Sequence, residues 1–187
     1  ALVAVISTSA LTACSAGHTA VNTASESGGM NITVASTSAA NSLDFTTTGG
    51  AAIPAALVSN VYETLVKIDP KTGEILPHLA TSWELSEDGK TYTFDLKKGV
   101  NFSNGDEFTA ETAEFSLKYV KESWTNGRKS QMDAVDSVKA IGDHTLQVKL
   151  SKPSQSWLWN LSTATGAMMT PAGIESLTSA PIGTGPY

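Results

Sequence analysis

Residues 81–120 read TSWELSEDGKTYTFDLKKGVNFSNGDEFTAETAEFSLKYV, and the fold is decided by how this stretch is read. Trp83 and Leu85 precede Ser86-Glu87-Asp88-Gly89-Lys90, after which Tyr92, Phe94 and Leu96 alternate with Thr91, Thr93 and Asp95. A period of two sends neighbouring side chains to opposite faces, so the pattern predicts an antiparallel hairpin with one buried face. Asn104-Gly105 marks a further tight turn. Thr109 is placed to cap a helix with Glu111 in its first turn, and Ala113, Leu117, Val120 and Trp124 give that helix an apolar stripe.

Outward from this stretch the periods alternate. Upstream, Ile53, Leu57, Val58, Val61 and Leu65 repeat at helical or near-helical spacing behind Pro54, which suits a first helical turn, and predict a core-facing helix. Val66 and Ile68, then Ile75, flank Asp69-Pro70-Lys71-Thr72-Gly73, the composition of a hairpin turn. Downstream, Val138 and Ala140 face Leu146, Val148 and Leu150 across Gly142-Asp143-His144, a third hairpin. Pro153 ends it, residues 157–161 suit a short helix, and residues 167–170 are extended. Near the start, residues 30–35 suit a strand, followed by a Ser/Thr/Gly-rich loop over residues 36–50. Hairpins separated by single helices define an α+β class.

The N-terminal residues differ in kind. Residues 1–13 (ALVAVISTSALTA) are apolar and small, too short to span a bilayer, and fit the apolar core of a secretory signal whose beginning is missing. Leu11-Thr12-Ala13-Cys14 resembles the cleavage box of bacterial lipoproteins, in which the cysteine thiol receives the lipid. Residues 14–29 then form a lipidated cysteine with a small, polar tether. The expectation is an extracytoplasmic protein, lipid-anchored to a bacterial cell membrane through Cys14.

Charge and chemistry exclude other classes. Across 187 residues, 12 Lys and Arg are outnumbered by 18 Asp and Glu, giving a net charge of −6, which argues against a nucleic-acid partner. One cysteine excludes an intrachain disulfide and a cysteine-rich metal site. No G-x-S-x-G elbow, H-E-x-x-H helix or P-loop occurs, so no catalytic residue, metal site or cofactor is expected and the chain reads as a non-enzyme. His18, His78 and His144 lack a second ligand at metal spacing and read as solvated polar residues. Trp157 and Trp159, two apart on a short helix, point in different directions and cannot both bury easily; simple packing is the first reading, and one of them facing a cleft or a partner is the alternative.

The ordered set Ser82-Trp83-Glu84, Asp88-Gly89, Thr91-Tyr92-Thr93-Phe94, Leu96-Lys97, Gly99-Val100, Phe102, Asn104-Gly105 and Phe108-Thr109-Ala110 resembles the family 5 extracellular solute-binding proteins. These are the peptide- and nickel-type receptors of ABC importers. Tyr62-Glu63-Thr64-Leu65, Asp143-His144-Thr145-Leu146 and Gly183-Thr184-Gly185-Pro186-Tyr187 extend the likeness across residues 30–187. The resemblance implies the N-terminal part of a two-lobed, type II periplasmic-binding-protein-like fold. Residues 30–60 and 161–187 would belong to ligand-binding lobe I and residues 61–160 to an inserted, hairpin-rich subdomain, with lobe II absent and lobe I itself cut at Tyr187. It further implies a monomer that captures a small solute, most often a di- or oligopeptide, and delivers it to ABC permease subunits. The small polar residues of the loop at 44–50 suit contact with an extended ligand, which nominates Thr46, Thr47, Thr48 and Gly49, with Ser162, Thr163 and Thr165 as a second edge. A surface sensor or adhesin lipoprotein built on the same fold is the alternative.

Overall fold

The computed structural model describes residues 42–187, all of which fall within one unit of the chain, Ser36–Tyr187. The elements in order are α1 (Ala52–Leu57), β1 (Val66–Ile68), β2 (Ile75–Pro77), β3 (Ala80–Leu85), β4 (Thr91–Leu96), α2 (Ala110–Ser123), β5 (Val135–Ala140), β6 (Thr145–Leu150) and α3 (Gln155–Asn160). The signal-like run, Cys14 with its tether, and the strand expected at residues 30–35 lie outside the described residues.

The three hairpins form where the turns call for them. β1 pairs with β2 through Asp69, whose carboxylate accepts the Lys71 and Thr72 amides, and Gly73 takes the positive φ of +74° that closes the turn. β3, β4, β6 and β5 make one antiparallel sheet in that spatial order, with Trp83 opposite Phe94, Phe94 opposite Leu146, and Val148 opposite Val138. Cross-strand partners share a face, so Tyr92, Phe94 and Leu96 join Leu146, Val148 and Leu150 on the buried side. Glu84, Thr93, Gln147 and Lys139 form one polar row on the other.

Helix α2 covers the apolar face with Ala113, Leu117 and Val120, and Trp124 at its C-terminal cap is also buried. Its start is a reciprocal cap: the Thr112 amide donates to Thr109 Oγ1 and the Thr109 amide to Thr112 Oγ1. Thr109→Ala removes one half of this and is expected to cost about 1 kcal/mol, read as a lower urea midpoint at unchanged slope. Two side chains of α2 also satisfy the outer edge of β5: Glu114 accepts from the Ala140 amide at 2.7 Å, and Lys121 Nζ donates to the Val135 carbonyl. That edge strand is thereby shielded from further pairing. Helix α3 sends Trp157 inward against Tyr92 and Phe94, with ring centroids 5.0 and 6.3 Å apart, and leaves Trp159 49% exposed.

The helix expected from the 53–65 spacing is much shorter. Val58 leaves the helical region, Ser59 takes φ +73°, and the Leu57 carbonyl collects the amides of Asn60, Val61 and Tyr62. Asn60 Nδ2 caps the Ala56 carbonyl at 2.8 Å. Beyond Leu57 the chain is an irregular strap, and Tyr62 and Leu65 are buried because the chain covers the strap from two directions. Glu63 and Thr64 meet Met168 and Ala167, and residues 183–187 dock along Asn60 and Val61. The run at 167–170 is extended, as expected, and it is also buried; the Met169 amide donates to Ser116 Oγ on α2 at 2.8 Å.

Two histidines are not solvated as the sequence suggested. His78 is mostly buried and its Nε2 lies 3.0 Å from Glu63 Oε1. Burial holds its pKa below the usual value, aided by Lys67 and Lys97 and opposed by Glu63. His144 has its Nδ1 buried without a hydrogen-bond partner among the described residues. His18 lies outside the described residues.

Candidate functional site

The loop at 44–50 is organised by its one acid. Asp44 Oδ1 accepts the Thr46 amide at 2.8 Å and the Thr46 hydroxyl at 2.7 Å, Oδ2 accepts the Thr47 hydroxyl at 2.9 Å, and the Asp44 carbonyl accepts the Thr48 hydroxyl at 2.7 Å. An Asp at the head of a Thr run folds the loop into a tight side-chain-capped turn. Burial pushes the Asp44 carboxyl up, but these hydrogen bonds outweigh it and leave its pKa below the ordinary 3.8. The sign follows. A carboxyl titrating lower when folded contributes stability that is in place above its unfolded value and lost as the pH falls through the folded value. Acid titration followed by tryptophan fluorescence should therefore open the loop below about pH 4, and Asp44→Asn should flatten that limb.

Thr46 is buried, whereas Thr47, Thr48 and Gly49 are exposed, Gly49 with open space where a Cβ would be. Between Asp44 and Thr46, Phe45 drives the loop into the interior. It is fully buried, edge-on to Tyr62 at 5.2 Å and to Trp124 at 5.4 Å between ring centroids. Tyr62 Oη and Trp124 Nε1, which belong to the rings against Phe45, are buried without a hydrogen-bond partner among the described residues. Burial raises the Tyr62 hydroxyl pKa and the Asp44 charge adds to the effect.

The second candidate edge follows α3. Ser162 and Thr163 are half-buried, and their hydroxyls donate to the Trp159 and Asn160 carbonyls, both at 2.7 Å. Thr165 is fully buried and its hydroxyl donates to Gln131 Oε1. Gly166 is required here, since a Cβ on it would fall 1.9 Å from the Leu161 carbonyl oxygen.

The two loops meet the same piece of chain, the connection from α2 to β5. Asn126 Nδ2 donates to the Phe45 carbonyl at 2.6 Å, the Thr125 amide to the Thr46 carbonyl at 3.2 Å, and Gln131 receives Thr165. Asn126 and Gln131 escaped the sequence reading because Asn126-Gly127 carries only the signal of a turn. No cluster of three or more His, Cys, Asp or Glu able to hold a metal occurs among the described residues.

Comparison with known proteins shows the family and the fold. Residues 74–187 match the bacterial extracellular solute-binding proteins, family 5 Middle. The dipeptide-binding protein of Escherichia coli strain K12 is 32% identical over 155 residues, covering 68% of this chain and 29% of its own length. The nickel-binding periplasmic protein of the same strain is 36% identical over 140 residues, covering 69% and 26%. Among solved structures, the dipeptide-binding protein of Pseudoalteromonas sp. SM9913 in complex with Met-Leu matches with a TM-score of 0.70 at 25% identity, covering 79% of this chain and 34% of that one. NikZ of Campylobacter jejuni in complex with Ni(L-His) matches with a TM-score of 0.68 at 26% identity, covering 80% and 31%. The chain thus spans less than a third of the curated relatives' length and carries part of a type II periplasmic-binding-protein fold. The profile match over residues 74–187 and the shared fold make the chain a member of family 5 of the bacterial extracellular solute-binding proteins.

Proposed function

We propose that the protein is the non-enzymatic substrate-binding component of an ABC importer, taking a small solute outside the membrane and passing it to permease subunits. Family membership carries this reading. A di- or oligopeptide is the proposed solute, in keeping with the peptide-binding relatives. The proposed contact loops are Thr46 to Gly49 and Ser162 to Thr165, in which Thr47, Thr48, Gly49, Ser162 and Thr163 offer exposed or half-buried groups while Thr46 and Thr165 hold their loops from within. Residues 30–60 and 161–187 are assigned to lobe I and residues 61–160 to the inserted subdomain, and the protein acts as a monomer.

The test is mass spectrometry of the solute released from the full-length protein after purification under native conditions. A peptide mass is the expected result; a metal chelate or an empty protein would overturn the peptide assignment. Anchoring through Cys14 is part of the same proposal. Cys14→Ser should release the protein from the membrane or leave its precursor uncleaved, and a processed, membrane-bound mutant would refute the anchor. One acyl chain holds a protein only marginally, so at least two are expected on the mature N-terminus.

A further inference from the structure

We infer that the α2–β5 connection is a positioning element, in which Asn126 and Gln131 set the spacing between the two solute-contact loops without touching the solute. The inference rests on the binding reading above. No direct hydrogen bond joins residues 44–50 to residues 161–166 among the described residues, whereas residues 125–131 are hydrogen-bonded to both.

Residues 124–132 are built for that. Trp124 and Met132 are both buried, so the connection is fastened into the core at each end. Between them the chain is wound into a 3₁₀ turn over Gly127–Met132, whose N-cap is Asn126, with Oδ1 accepting the Arg128 amide at 2.9 Å. The same side chain therefore starts the turn with its oxygen and holds the Phe45 carbonyl with its nitrogen, spanning 81 residues of sequence. At the far end of the turn Gln131 presents its amide oxygen to Thr165 across 34 residues. A rigid turn with one loop hung from each end fixes their separation. Binding of an extended solute to both loops then costs less ordering, which is the source of affinity in a preorganised site.

Gln131→Leu removes the acceptor for Thr165 at similar size, whereas Gln131→Glu keeps an acceptor oxygen. In the full-length protein, trialanine is titrated calorimetrically against wild type and both variants, and backbone amide resonances are recorded without solute. Gln131→Leu should weaken trialanine binding about tenfold, the loss of one part-buried hydrogen bond, and Gln131→Glu should restore it to within about threefold. In the same variant the resonances of Thr46 and Thr47, in the loop that Gln131 does not touch, should move together with Thr165, while those of β4 and β6 stay in place. Resonance changes confined to residues 161–166, or spread evenly over the sheet, would overturn the inference. A wild type that takes no trialanine counts against the peptide reading alone, because the resonance arm decides the coupling between the loops whatever the solute.

Discussion

Gly183→Ala is expected to cost about 3 kcal/mol or more. A Cβ at this position would stand 1.9 Å from the Val61 carbonyl oxygen and 2.6 Å from its carbon, and a neighbouring backbone cannot swing away as a flexible side chain can. The segment is held in that contact from both sides: the Ser103 amide donates to the Gly183 carbonyl at 2.8 Å, and the Gly185 amide donates to the Val61 carbonyl at 2.8 Å. Gly185 repeats the restriction, with the Asn60 carbonyl oxygen 2.4 Å from its added Cβ. The cost is one of close approach. Gly73 supplies the contrast, since its φ is +74° but nothing stands near its Cβ, and Gly73→Ala should cost only about 1–2 kcal/mol. Urea unfolding of the two variants side by side separates the cases, and equal midpoints would refute the close docking of residues 183–187.

Phe45→Ala should lose about 3–5 kcal/mol, the usual range for deleting a buried aromatic ring. Two edge-on ring contacts go with it, and the Asp44–Thr48 turn loses the only large apolar side chain that seats it. On the contact loops proposed for the solute, affinity should fall as well, because that turn presents the hydroxyls of Thr47 and Thr48. Trp159→Ala is the matched control. Its ring is half exposed, and the change should stay within about 0.5 kcal/mol. Thermal melts of the two variants with and without solute give both quantities.

Much of the fold could be read from residues whose local chemistry and global role agree. Thr109 caps α2, Tyr92, Phe94 and Leu96 line the buried face, and Gly73, Gly89 and Gly142 close hairpin turns with φ near +70°. The strap after α1 was misread because Leu57, Val61 and Leu65 stand four apart while being covered from separate directions by distant chain. Spacing records that a side chain is buried, and the geometry that buries it can be something other than a helix. His78 was misread for a related reason: its partner Glu63 is brought to it by the packing of β1 and β2, which no local pattern announces. At the candidate site, the Thr-rich composition at 46–48 marks a polar loop. Asp44 as its organiser, and Asn126 and Gln131 as its fasteners, depend on hydrogen bonds between groups that only the folded chain brings together.

The topology also sets an order of events. Strands β3 to β6 pair within two hairpins and across α2, all from neighbouring stretches of sequence, whereas residues 183–187 must travel back to Asn60 and Val61. Contacts that close short loops are made early, and those that close long loops come after the entropy of closure has been met. The sheet and α2 are therefore expected to form first, with the returning segment as a late latch. Interactions absent from the folding transition state act on the rate of unfolding rather than of folding. Weakening the latch at Gly183 should leave the speed of refolding unchanged and shorten the lifetime of the folded molecule.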